Sequence, residues 1–347
     1  MWNPFKKKNK TYSLGIDIGT SSIKIVELLH DGNNIKLNNY AQFFARSNYI
    51  GSSSGPFSML DSHTVTVFRD MFLAANFVSK SAVVALPVFS SFSTLIELPT
   101  MSEGELKEAI EYEIRKYIPV PVSEVQFDWI KIESLSSPKK IKLLVIAVPN
   151  EIINKFNNIA DATDIHITNM ELETFSMARA LIPQSNSKTT AILEVGYRTT
   201  NVGIVSGGVV VMHHNIGMGG INITKALASG MSIDIDRAEE IKRTNGILDA
   251  SENVLELLKT SIDKILAEAS QVLQNYVQEG GVPVEKIILT GGNASMPGFV
   301  EYIKQSLSVE VEIGNPFNRI EVPNKLKEKL NKDGPSFAVA TGLALRK

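Results

Sequence analysis

Leu14–Glu27 reads LGIDIGTSSIKIVE: an apolar strand ending on an acidic residue, a turn opened by glycine and filled with hydroxyl residues, and a second apolar strand. That reading decides the fold, because the pattern returns. Ala191–Val205 reads AILEVGYRTTNVGIV, with Glu194 answering Asp17 and Gly196 answering Gly19 at one common offset. A hairpin whose turn carries Gly with Ser or Thr presents backbone N–H and side-chain OH groups to a phosphate. Two such hairpins, one from each half of a chain, can grip one nucleotide from opposite sides. The doubled pattern predicts a two-lobed phosphate clamp.

The rest of the chain is compatible with that clamp. Its 347 residues are enough for two domains. Hydrophobic residues make up 44% and charged residues 21%, an ordinary globular balance. A formal net charge of −2 gives no global pull toward nucleic acid, so no nucleic-acid partner is expected. There is no cysteine, which excludes a disulfide framework and thiolate metal sites and agrees with a cytoplasmic protein. No stretch reaches the roughly 18 consecutive apolar residues of a membrane span. The N-terminal MWNPFKKKNK is basic without a following apolar run, so it is not a secretory signal. It reads as a solvated basic tail over residues 1–12, with Trp2, Phe5 and Lys6–Lys8 able to touch an anionic membrane surface weakly.

From the hairpins the organisation extends outward. A first lobe over 13–188 starts with the hairpin Ser13–Leu29 and a third strand Ile35–Phe44. Ser47–Ser58, rich in Ser and Gly, reads as a surface loop. A helix over Val65–Phe77 and a strand Ala82–Leu86 follow. An inserted α+β block, placed at about 88–168, holds strands Phe92–Leu98, Val125–Ile132 and Ile141–Val148. Its helix opens with Ser102 three residues before Glu105, a capping-box spacing, and carries Leu106, Ile110, Ile114 and Ile118 on one face. Asn150–Ala162 and Glu171–Leu181 read as helices. A second lobe over 189–335 begins with the second hairpin, Ala191–Met212. It continues through the Gly217–Gly220 turn into helices from Asn222, over Ala238–Arg243 and over Asn253–Glu279. Lys286–Leu289 is a buried strand leading into Thr290-Gly291-Gly292, and a helix near Ser336–Leu345, within 336–347, closes the chain.

The candidate site residues follow from these motifs. Asp17, at the end of a buried strand, is costly to ionise unless it faces water, a partner or a metal. Mg²⁺ held through water suits it, since that ion keeps much of its hydration shell. Gly19 allows the tight turn, Thr20, Ser21 and Ser22 offer hydroxyl and N–H groups, and Lys24 adds a cation. In the second hairpin Gly196, Thr199 and Thr200 keep the plan. Glu194 is one methylene longer, and Tyr197-Arg198 put bulk where small residues would admit phosphate. Asp17 and Glu194 are the candidates for a metal–water network, and Arg198 is an alternative phosphate donor. Binding is therefore expected to outweigh hydrolysis. Gly219 and Gly220 form the turn after the second hairpin. Gly291, Gly292, Asn293 and Met296, in a glycine-rich turn between strand and helix, let a nucleoside lie against bare backbone. Glu239 and Lys242 share a helical face and could reach ribose and base; the plainer reading is a surface ion pair.

Taken together and in order, these segments resemble the actin-like ATPase superfamily, whose fold is a two-lobed, ribonuclease H-like α/β structure. DIGTSSIK (Asp17–Lys24) resembles its first phosphate motif, EVGYRTTNV (Glu194–Val202) its second and LTGGNASMPG (Leu289–Gly298) its adenosine motif. AEEIKR (Ala238–Arg243) is similar to its ribose- and adenine-contacting helix. Within that superfamily, IELPTMSEGELKEAIEYEIRKYIPVPVSEVQFDW (Ile96–Trp129) and PSFAVATGLALR (Pro335–Arg346) resemble the PilM family of type IV pilus assembly. The resemblance spans Leu14 to Arg346. It implies ATP and Mg²⁺ in the cleft between lobes and a scaffold rather than a strong ATPase. It also implies that the cytoplasmic N-terminal tail of a PilN-like membrane protein sits in a groove beside the insertion. A homo-oligomeric ring within an inner-membrane platform, peripheral to the cytoplasmic membrane, completes that expectation.

Two other classes share the clamp. An FtsA-like cytoskeletal protein needs a C-terminal amphipathic membrane helix, which is not expected where Lys347 follows GLALR directly. A sugar-kinase-like phosphotransferase needs a substrate-facing base, and His213 and His214 read as turn or core residues.

Overall fold

A computed structural model describes residues 10–44, 62–132 and 140–346. Residues 1–9 of the expected basic tail, the Ser47–Ser58 loop and residues 133–139 between the last two strands of the insertion lie outside these residues, while β1 already begins at Thr11. The doubled hairpin becomes two sheets of one plan. The first runs β3-β2-β1-β4-β8 and the second β11-β10-β9-β12-β13. In the first, β1 (Thr11–Ile18), β2 (Ser22–Asp31) and β3 (Asn34–Phe44) are antiparallel neighbours, and β4 (Ser81–Leu86) and β8 (His166–Leu172) extend β1 in parallel. In the second, β9 (Thr190–Val195), β10 (Thr200–Ser206) and β11 (Val209–Ile216) repeat the antiparallel trio. There β12 (Lys286–Thr290) and β13 (Glu310–Ile313) repeat the parallel pair. Near-continuous apolar runs in β1, β2, β9 and β10 follow from burial on both faces.

Helices cover those faces. α1 (Ser62–Ala75) packs Phe68 and Met71 on the first sheet, beside Ile16, Ile25 and Val84. Between β4 and β8 the chain leaves the sheet at Pro87 and builds the insertion. There β5 (Phe92–Pro99), β6 (Val125–Ile132) and β7 (Lys140–Pro149) form an antiparallel sheet in the order β5-β7-β6. α2 (Glu103–Ile114) lays Leu106, Ile110 and Ile114 on that sheet, against Ile141, Leu143 and Val145. The capping box is present: Ser102 accepts from the Glu105 N–H, and the Glu105 carboxylate accepts from the Ser102 N–H at 3.0 Å.

Three boundaries differ from the sequence reading. The segment that leaves the first sheet ends at Pro149, not near 168, because α3 (Asn150–Ala162) buries Ile152, Phe156 and Ile159 in the first-lobe core and β8 pairs with β4. The helix expected from Glu171 is α4 (Glu173–Leu181), and Glu171 belongs to β8. The sequence reading assigns no element to β8, since an edge strand with one sheet neighbour keeps polar His166, Thr168 and Asn169. Finally, residues up to 335 do not all belong with the second lobe. Phe317, Ile320 and Leu330 of α9 (Asn324–Asp333) pack with Val26, Leu28 and Leu37 of the first. Glu321 also bridges to Lys36 at the β3 edge.

The second lobe is completed by α5 (Gly220–Met231), α6 (Ile235–Thr244), α7 (Glu252–Gln278) and α8 (Phe299–Leu307) around one apolar cluster. α10 (Ala338–Ala344) returns to the first lobe against β1 and crosses α4.

Candidate nucleotide site between the lobes

The two hairpin turns close in the same way. The Gly19 N–H bonds to the Ser22 carbonyl at 2.9 Å, and the Gly196 N–H bonds to the Thr199 carbonyl at 3.0 Å. Both turns face a cavity of about 410 Å³ between the lobes. The cavity is lined by Asp17, Gly19, Thr20, Ser21, Ser22 and Lys24 from the first hairpin, and by Glu194, Gly196 and Thr199 from the second. Glu239 and Lys242 of α6, and Gly291, Gly292, Asn293 and Met296 after β12, complete the wall on the second-lobe side.

Thr200, Gly219 and Gly220 do not line the cavity; they stand behind it. Thr200 is fully buried and its hydroxyl donates to the Met218 carbonyl at 2.8 Å. A Cβ on Gly219 would lie 2.8 Å from the Tyr197 carbonyl oxygen, so the start of α5 fits under the second turn only as glycine. The Gly220 N–H then bonds to the Gly196 carbonyl at 2.9 Å. Gly291 is required in its own right: its φ of +91° is left-handed, and a Cβ there would sit 2.6 Å from the Val195 carbonyl oxygen. Arg198 is not among the lining residues, whereas Tyr197 is.

Glu239 and Lys242 are not a surface pair. Lys242 is 1% exposed, and its ammonium reaches Glu239 at 2.7 Å, the Thr224 hydroxyl at 3.0 Å and the Gly220 carbonyl at 3.2 Å. All three of its donors are held by protein. Burial lowers its pKa against the pull of Glu239. For Glu239, burial pushes upward but Lys242, Thr224 and Arg243 outweigh it, and the carboxyl lies below its usual value. The pair fixes α6 to the N-terminal end of α5.

Sequence reasoning missed the centre of the charge cluster. Glu173, the first residue of α4, enters the cavity beside Asp17 and Glu194. The Asn201 side-chain amide donates to Glu173 at 3.0 Å and to Glu194 at 2.7 Å. Asn215 donates to the Asn201 carbonyl oxygen at 2.7 Å, which orients that amide. The Val88 N–H also donates to Glu173, at 3.2 Å. Burial, then Glu194 and Asp17, raise the Glu173 pKa well above the carboxylate range. Burial likewise raises Glu194 and Asp17, with Lys24 opposing in both. Lys24 stands 3.4 Å from Asp17. Three carboxyl groups thus share one cavity with a single ammonium, so ionising all three together is costly and an added cation would lower that cost. The available signals were a glutamate at the head of a mostly buried helix and an asparagine inside a buried strand.

Residues 15–347 match the family described as type IV pilus assembly protein PilM. A chain of the PilM-PilN type IV pilus biogenesis complex superposes with a TM-score of 0.82 at 24% identity, covering 96% of this chain and 98% of that one. Cell division protein FtsA of Agrobacterium fabrum is 26% identical over 191 residues, 48% of this chain and 42% of that protein. This chain thus covers less than half the length of the curated relatives it first matches. MreB 5 of Spiroplasma citri bound to AMPPNP superposes with a TM-score of 0.52 at 13% identity, covering 95% and 94%. The fold is the actin-like two-lobed α/β fold.

Proposed function

This chain belongs to the PilM family of type IV pilus assembly proteins, and from that membership we propose that it is an ATP-binding scaffold of a pilus, competence or secretion platform. The observation that carries the nucleotide half is the cavity between the lobes, walled by two glycine–hydroxyl turns and by the bare backbone of Gly291 and Gly292. MreB 5, of the same fold, was captured with AMPPNP. In this reading the first turn and Lys24 hold phosphate, the second turn holds it from the other lobe, and Gly291–Met296 receives the nucleoside.

The donor set fits Mg²⁺. The acidic side chains of Asp17, Glu173 and Glu194 offer only oxygen, and a bound cation would favour their ionised forms. Among the described residues no three acidic or histidine side chains form a ready-made metal cluster. An ion that keeps its waters and shares phosphate oxygens suits such a site. When bound it would screen the phosphates from the carboxylates. Asp17 and Glu194 would hold such an ion through water, and the Asn201 amide, 2.7 Å from Glu194, would keep that carboxyl in place.

The partner half rests on the family and on a relative seen with PilN. In this reading the cytoplasmic N-terminal tail of a PilN-like protein lies beside the insertion and holds the protein at the inner face of the membrane. Copies of the chain assemble as a ring. Among the described residues no helix is long and apolar enough to cross a membrane. Titration with a fluorescent ATP analogue and Mg²⁺ tests the nucleotide half. The protein is expected to bind it, and Lys24→Ala to weaken binding roughly 10- to 100-fold through loss of a charged donor. A folded wild-type chain that binds no nucleotide overturns the reading.

A further inference from the structure

The mouth of the cavity is bordered by one residue from each lobe that belongs to no phosphate motif. Phe44 is the last residue of β3 and is 53% exposed. Across the cleft, the Arg243 guanidinium of α6 stands over its ring, 5.9 Å from the centroid. Both residues line the cavity. Each is also tied to one of the two turns. Phe44 pairs with Ser22 in the β2–β3 register, so it lies beside the first turn. Arg243 bonds Glu239 at 2.7 Å, Glu239 holds Lys242, Lys242 reaches the Gly220 carbonyl, and the Gly220 N–H bonds Gly196 of the second turn.

We propose that Phe44 and Arg243 form a clasp across the cleft that holds the lobes together around a bound nucleotide and slows its release. The role of the clasp in release rests on the nucleotide reading above. A cation on an aromatic face is attracted by the ring's quadrupole, and a solvent-exposed pair of this kind changes an equilibrium by about two- to fivefold. That is too weak to lock the lobes and strong enough to bias how often they open. Strand pairing joins Phe44 to the first turn and a chain of polar contacts joins Arg243 to the second, so opening the clasp would bear on how the two turns face each other.

The sequence has no cysteine, so a pair of spin labels can be placed uniquely. Leu73 in the first lobe and Leu248 in the second are 75% and 70% exposed. In L73C/L248C without nucleotide, adding Phe44→Ala is expected to broaden or lengthen the distance distribution between labels. In the unlabelled protein, Phe44→Ala is expected to release a fluorescent ATP analogue about two to five times faster. Phe44→Leu should behave like Phe44→Ala, and Phe44→Trp should release as slowly as wild type or more slowly. Adding Arg243→Gln to Phe44→Ala should give little further acceleration. Unchanged distances overturn the clasp, as do Phe44→Leu rates equal to wild type or a double variant whose effects multiply. If distances shift but no nucleotide binds, the clasp stands and the nucleotide reading falls. If nucleotide binds and neither readout moves, the reverse holds.

Discussion

Single residues show how far burial bends ordinary chemistry in this protein. His213, in β11, is 8% exposed, its Nδ1 has no partner, and the edge of its ring meets Phe175. Burial, helped by neighbouring His214, holds its pKa down from 6.5 to about 4. An unfolded His213 takes a proton near pH 6.5 and the folded one only near 4. The unfolded state therefore binds more protons throughout that window. Stability from this group is complete above pH 6.5 and is lost as pH falls toward 4, up to roughly 3 kcal/mol. His213→Leu should flatten the fall in urea midpoint between pH 6.5 and 4. Identical slopes in the two proteins would refute a buried neutral histidine. Residues of this kind were legible in part: the sequence reads His213 as a turn or core residue, and the structure buries it in β11. Glu173 and Asn201 were not legible as a pair, since they stand 28 positions apart and only folding brings one amide between two carboxylates.

At the scale of elements, local signals succeeded where the interactions themselves are local. Ser102 and Glu105 close within one turn of α2, so four letters were enough to place that helix start. Losing such an exposed cap costs about 1 kcal/mol. The crossing of α4 and α10 is governed by something no window of sequence contains. A Cβ on Gly342 would lie 1.8 Å from the Ser176 carbonyl oxygen, with both residues buried. Arg179 and Arg346 clamp the same corner through Glu171. Gly342→Ala must push two packed helices apart and is expected to cost about 3 kcal/mol, well beyond Ser102→Ala. Chemical denaturation of the two variants checks the order; equal losses would mean that the crossing relaxes freely. The same distinction explains the missed strand. β8 has few apolar residues to announce it, and its existence depends on the open side of β4.

For the whole molecule, the insertion is more than an appendage of the first lobe. Leu144 of β7 shares an apolar cluster with Ile192, Val205 and Ile288, and Ile132 of β6 touches one with Ile204, Val211 and Tyr276. If a partner peptide seats beside the insertion, as proposed above, it would act on a unit that touches both lobes. If nucleotide changes the lobe angle, the two ligands must change each other's affinity by the same factor. Titrating a PilN-type N-terminal peptide with and without Mg-ATP should show affinities differing by roughly 5-fold or more. Equal affinities would leave a scaffold without a switch.

The doubled hairpin was readable letter by letter, because strand period, a turn glycine and hydroxyl residues act within a dozen positions. From it came the two lobes and the two turns that face one cavity, while the family resemblance needed Ile96–Trp129 and Pro335–Arg346 as well. What only the tertiary structure decided lies between segments far apart in the chain. Lys242 is buried under α5 rather than free at the surface, and residues 317–330 belong with the first lobe. Glu173 joins Asp17 and Glu194, and Phe44 meets Arg243. Each of these depends on the free energy of burying groups from distant elements together, which no local pattern records.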